Sequence, residues 1–375
     1  MPRADARADA GIAAVEGPAS RQPAADAREP APVDGNFIRV TSMLQRAYTI
    51  AEEVLFPRAL DVDAGGVIPG SHFDLLAEQG FYGLAGQAEN TSLNGIFETL
   101  AGGCLTTTFT WIQHHGLVRA LAGTTNVELR EKYLDAAVRG TLRGGVAYAG
   151  AIPRPPRLWA TATAGGWLIS GDAPFVTGWG IIDMLLVSAR DLAGGPQGAI
   201  VSGLVSAEAG GGITVEELHL VAAAASNTVR LRFEDHFLPA EKVTAEVLHS
   251  DFLARTHIAL RSNGSLAMGV AGRCIRMIGE AGRPELAELL EVERDTIRDR
   301  LDRGLSEPAT LLTARAAASA LAYRCAGALM VATGSSGLLA DRHAQRLVRE
   351  AAFTLVAAGR PGIKESLLDL FGSAR

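Results

Sequence analysis

Aromatic side chains are scarce in this chain, at 6% of 375 residues, so large rings cannot fill its interior. With 48% hydrophobic residues and 42 glycines, the core has to come from small side chains on closely spaced helices. Cysteine is nearly absent. Cys104, Cys274 and Cys325 are widely spaced and odd in number, which argues against a disulfide framework or a metal site and for reduced, buried thiols. No apolar run reaches the roughly 18 residues of a membrane span. The N-terminus has no apolar signal core and its acidic residues oppose a transit peptide, so a cytoplasmic location is expected. No basic stripe offsets the net charge of −6, which argues against nucleic acid as a partner. Also missing are GxGxxG, the P-loop lysine motif, the GxSxG elbow, HExxH and CxxC. Asn-x-Ser sites at Asn90 and Asn263 mean nothing without secretion.

What is present falls into successive textures. Residues 1–36 are rich in Ala, Pro, Arg and Asp and nearly free of large apolar side chains. Such a segment cannot offset its ordering entropy and reads as a disordered tail. Over residues 37–143 the apolar spacing is helical, as in Leu44, Ala47, Ile50, Ala51 and Leu55, and PGSHFDLL predicts a capping box with Ser71 as N-cap and Asp74 behind it. Residues 144–245 carry short apolar runs such as GWLISG, MLLVSA and AIVSGLV, punctuated by Gly, Pro, Asn and Asp, which predict strands of a barrel or sandwich. Over residues 246–375 helical spacing returns, with Leu286, Leu290, Ile297, Leu301 and Leu305 on one face. The class expected is α+β: a helical domain, a β-domain and a four-helix bundle.

GGWLISGDAPFVTGWGIIDMLLVSAR (Gly165 to Arg190) and NTVRLRFEDHFLPAEKV (Asn227 to Val243) resemble the central β-domain of the acyl-CoA dehydrogenase superfamily. The resemblance continues in order from about residue 45 to 370. It implies the three-part fold, an FAD cofactor and a small-molecule substrate of the acyl-CoA kind. It also implies a homodimer or homotetramer, or a hetero-oligomer with a related subunit. In PFVTGW, Phe175 and Thr177 fill the positions of the family's flavin-packing aromatic and flavin-binding hydroxyl, with Val176 between them. A flat aromatic shields one ring face, and a hydroxyl tunes the flavin potential. Tyr148 and Ala149 fall where a flavin-facing hydroxyl usually lies, and Gly334 and Ser335 open the glycine-rich turn that in relatives reaches a neighbouring subunit's flavin. These residues form the expected cofactor-binding set. Asp235 and Pro239 imply a turn out of the β-domain, and Arg346 and Arg349 read as structural ion pairs with partners such as Glu350 or Asp341.

The chain also departs from the family. Most members carry a catalytic glutamate where this sequence has Ala358, although Gly359 is retained. A minority place it on the first helix of the last domain, but ARTHIALRSNGSLAMGVAGR contains no acid. Abstracting an α-proton needs a base at hydrogen-bond distance, and Glu365 lies one to two helical turns too far along. His257 and Arg261, one turn apart on that helix, are the polar pair left as catalytic candidates, since imidazole titrates near neutrality. The family's arginine clamp for the flavin pyrophosphate is missing, and Val331 replaces a glutamine. Arg154 and Arg157 offer phosphate contacts instead, and one of the adjacent His114 and His115 is a candidate for lining the acyl pocket. Three readings follow: an FAD-dependent oxidoreductase acting on the CH–CH group of an acyl thioester or related carbon acid; a flavin-dependent monooxygenase or N-oxygenase, which needs no α-proton base; and a non-catalytic subunit of a mixed oligomer.

Overall fold

The computed structural model describes residues 35–86 and 90–373. Residues 1–34 of the expected tail lie outside the described residues. The chain opens with helices α1 (Gly35–Ile50), α2 (Phe56–Gly65), α3 (Gly70–Glu78), α4 (Asn90–Gly103), α5 (Leu105–Ile112), α6 (His114–Gly123) and α7 (Val127–Arg139). Several of the few aromatics gather here, with Trp111 at the centre. Its ring lies edge-on to Phe97 at 5.3 Å and to Phe81 at 6.4 Å. Helix α3 corrects the expected cap. Pro69, with φ −56° and ψ 131°, is its N-cap and no side chain caps it, because the fixed proline ring directs the chain into the helix two residues before Ser71. Asp74 instead meets Arg143 Nη2 at 2.5 Å.

Strands β1 (Gly144–Ala147), β2 (Leu158–Thr163), β3 (Gly166–Val176), β4 (Met184–Asp191), β5 (Ile200–Ser206), β6 (Ile213–Glu217), β7 (Val229–Pro239) and β8 (Val243–Val247) follow. They form one sheet in the order β6-β7-β3-β2-β4-β5-β8, with β1 pairing parallel to β4. Val229, Leu231 and Phe233 alternate inward along β7 while Arg232 and Glu234 face water, the period-two pattern of a half-buried strand. The sheet curls on itself: a Cβ on Gly203 of β5 would stand 2.7 Å from the Leu238 side chain of β7. Asp235 occupies a bulge within β7 and not a turn beyond it. It has φ +49°, and its carboxylate accepts from Ser170 Oγ at 2.7 Å. The register of β3 against β7 shifts at this point, and a bulge absorbs the extra residue.

Helices α8 (His249–Arg255), α9 (His257–Glu280), α10 (Pro284–Arg303), α11 (Pro308–Thr333), α12 (His343–Val356) and α13 (Pro361–Gly372) close the chain. Helix α11 is long and apolar enough to cross a membrane by length and composition. Here it is the central helix, packed on α9, α10, α12 and α13, and its many alanines let four neighbours approach. The first helical unit and the bundle are joined tightly. Gly102 of α4 and Gly269 of α9 cross so closely that a Cβ on Gly269 would lie 2.4 Å from the Glu98 carbonyl, an approach only glycine permits. Across the same seam Arg273 donates to the Gly102 carbonyl at 2.6 Å and to Glu52 Oε1 at 2.6 Å.

Candidate functional site

Phe175 lies in a second irregularity of β3, where the pairing with β7 jumps between Ala173 and Val176. Pro174 supplies no ladder N–H there, which confines it to such a break. Phe175 has φ +56°, an uncommon conformation for an L-residue with a side chain. The bulge turns its ring outward, and it is 65% exposed. Val176 and Thr177 are buried. Thr177 Oγ1 is 3.1 Å from Thr228 Oγ1, which is 2.8 Å from Ser226 Oγ, so three hydroxyls form one buried chain.

The partner loop fixes where this edge sits. Gly178 N donates to the Ser226 carbonyl at 2.9 Å and Trp179 N to the Asn227 carbonyl at 3.1 Å. Ala223 and Asn227 hold positive φ angles of 55° and 46°, strain that persists where the surroundings dictate it. Ala223 belongs to the bundle core and Ala225 to the first helical core. Arg349 of α12 donates to the Val221 carbonyl at 3.2 Å and to Asp63 Oδ1 of α2 at 2.8 Å. The Phe175–Thr177 edge therefore stands at the junction of the sheet with both helical units.

Tyr148 and Ala149 are half-buried just past β1. Burial pushes the Tyr148 phenol up, opposed by the charge of Arg360. Arg360 escaped the sequence reading. It lies two residues beyond Ala358, is half-buried, and its guanidinium makes no hydrogen bond or ion pair with the other described residues. Burial lowers its pKa and Tyr148 opposes the shift. Only its place directly after Ala358-Gly359 signalled it. Ala358 is exposed at φ +51°, and its methyl group takes no proton.

Gly334 and Ser335 are exposed at the C-terminal end of α11. Gly334 has φ +73° and ψ −163°, a region essentially reserved for glycine. Around this turn Val331, Leu338 and Leu339 are 83%, 72% and 53% exposed, an apolar rim on the surface.

The two residues of the expected catalytic pair are held by different partners. Arg261 is fully buried, and its fork is taken up by protein: Nε donates to Asp302 at 2.6 Å, Nη1 to Ser265 at 2.9 Å and Nη2 to Glu98 at 3.0 Å. Its role is to tie α9 to α4 and α10. His257 Nδ1 donates to the Ala254 carbonyl at 2.7 Å, which leaves the Nε2 lone pair for another proton. His114 is also structural. Gly144 N donates to its Nδ1 at 3.0 Å, so Nε2–H donates to the Ala137 carbonyl at 3.0 Å. His115 packs against Trp111 and Phe97, and among the described residues neither ring nitrogen has a hydrogen-bond partner. Arg346 pairs with Glu350 at 2.5 Å, whose carboxyl burial raises against the pull of Arg346.

Solved structures share this architecture. The glutaryl-CoA dehydrogenase–glutaryl-CoA complex aligns with a TM-score of 0.77 at 17% identity, over 89% of this chain and 95% of that one. The butyryl-CoA dehydrogenase of Megasphaera elsdenii aligns with a TM-score of 0.77 at 18% identity, over 92% and 99%. The chain has the acyl-CoA dehydrogenase fold. The structure of PigA with FAD and proline also aligns, with a TM-score of 0.75 at 18% identity, over 92% of this chain and 99% of that one. No protein-family model and no curated protein matches the sequence.

Proposed function

We propose that the protein is a flavin-dependent oxidoreductase of the acyl-CoA dehydrogenase type, using FAD to oxidise an acyl thioester or a related carbon acid. Phe175 carries this reading. An aromatic held 65% exposed in a positive-φ bulge forgoes about 1–2 kcal/mol of burial and accepts backbone strain. A flat ring ligand lying on its face recovers that burial, which is why the residues fit a flavin. Thr177, at the end of a hydroxyl chain, orients a hydrogen bond to the ligand edge, and Tyr148 and Ala149 are assigned to the same cofactor. When bound, FAD supplies the hydride acceptor. His257 Nε2 is the proton acceptor that remains in this reading; Arg261 is committed elsewhere. The apolar rim at Val331, Leu338 and Leu339 beside the Gly334 turn fits a second copy of the chain, in a homodimer or homotetramer.

A second reading, flavin-dependent oxygenation, is favoured by Ala358, because that chemistry needs no base to remove an α-proton. One experiment separates the readings. Purified protein is incubated with FAD, freed of excess cofactor and mixed anaerobically with an acyl-CoA. Yellow protein that bleaches is the expected result. Colour that persists with acyl-CoA and is lost only to a flavin reductase supports oxygenation. Protein that stays colourless after FAD points to the non-catalytic subunit.

A further inference from the structure

The loop after β1, the end of β4 and the start of α8 bring Arg154, Arg190 and His249 together. Arg190 is wholly buried, with Nη1 donating to the Pro196 carbonyl at 2.6 Å and Nη2 to the Ala151 carbonyl at 2.5 Å. His249 is 5% exposed. Arg154 Nη2 lies 3.2 Å from its Nδ1 and also donates to Gln197 Oε1 at 3.1 Å. A guanidinium can only donate, so Nδ1 is the acceptor and His249 carries its proton on Nε2.

Among the described residues two buried donors are then left without an acceptor, His249 Nε2–H and Arg190 Nε–H. Arg190 and Arg154 are the charges that act on His249, and both lower its pKa after burial has done so. No carboxylate among the described residues forms an ion pair with either arginine. Two like charges kept within mutual reach, with unpartnered donors beneath them, lack an anion that would offset both the repulsion and the unmade hydrogen bonds. Arg154 and Gln197 are exposed and form the roof, while Arg190 and His249 form the floor.

We propose that Arg154, Arg190 and His249 form a binding site for a phosphate group. A tetrahedral oxyanion accepts from several directions at once, and planar guanidinium forks are suited to it. If the phosphate belongs to a thioester carrier, the site rests on the oxidoreductase reading and holds the far end of the substrate; if it is free phosphate, the site is independent of that reading.

Isothermal titration of the full-length protein, before and after FAD, with CoA, phosphate-free pantetheine and inorganic phosphate tests this. CoA binding at least tenfold tighter than pantetheine, with most of the gap lost in Arg154→Gln, supports a phosphate ester. Inorganic phosphate binding that is lost in the same variant supports free phosphate. Arg154 is exposed, so the variant should fold, and circular dichroism checks that it does. If CoA and pantetheine bind alike and phosphate does not bind, or if Arg154→Gln changes nothing, the site is overturned. Because FAD uptake is read separately, that failure is distinct from failure of the flavin reading.

Discussion

Glu98→Ala is expected to destabilise the protein by about 3–5 kcal/mol, the usual consequence of removing one partner from a buried ion pair. Glu98 is 7% exposed and is shared by two arginines, with Oε1 accepting from Arg261 at 3.0 Å and Oε2 from Arg298 at 2.8 Å. Without it, Arg261 keeps only the Ser265 hydroxyl and one carboxylate, Asp302, whose side chain is 29% exposed. The damage falls on the seam between α4 and α9, beside the Gly102–Gly269 crossing. Urea denaturation of wild type and variant measures it: a midpoint within error of wild type would show that the network contributes nothing there. Glu98→Gln should lie between the two, since it keeps the shape and one acceptor but loses the charge.

Acid should weaken the fold well before the carboxylates titrate. Burial pushes His114 down to about 4, helped by the Arg143 charge and opposed by the hydrogen bond to Ala137. His115 is driven down further by burial and by the charges of His114 and Arg119. A histidine held neutral in the folded state and free to charge when unfolded contributes stability above its unfolded pKa of about 6.5. That contribution is lost as pH falls from about 6.5 toward the folded pKa. For His114 the loss between about pH 7 and pH 5 is roughly 2 kcal/mol, and His115 acts in the same direction. Glu350, raised by burial, works in the opposite sense. Urea midpoints at the two pH values give the result, and His115→Phe should remove part of the difference. Equal stability at both would show that these imidazoles are not held neutral.

The architecture was largely legible because period and punctuation are local. Helical spacing, short Gly-broken strand runs and the second helical stretch each report on a few neighbouring residues. The misreadings came from choices between local alternatives. Ser71 looked like the cap, yet Pro69 sets the entry to α3. Asp235 looked like a turn, yet it sits in a bulge held by Ser170, a partner the adjacent sequence does not show. The same limit governed the site. Phe175 and Thr177 were visible as a motif. That Arg261 belongs to Glu98, 163 positions away, and that Arg190 and His249 face the loop of Arg154, depends on contacts no short window contains.

The central claim is that the Phe175–Thr177 edge receives the flavin ring, and the direct measurement is a titration of FAD into wild type and Phe175→Ala, followed by quenching of flavin fluorescence. Saturable quenching by wild type, with affinity reduced at least tenfold in the variant, or about 1.4 kcal/mol, is the predicted result. A wild-type protein that never quenches FAD, or a variant that binds it as tightly, would contradict the account.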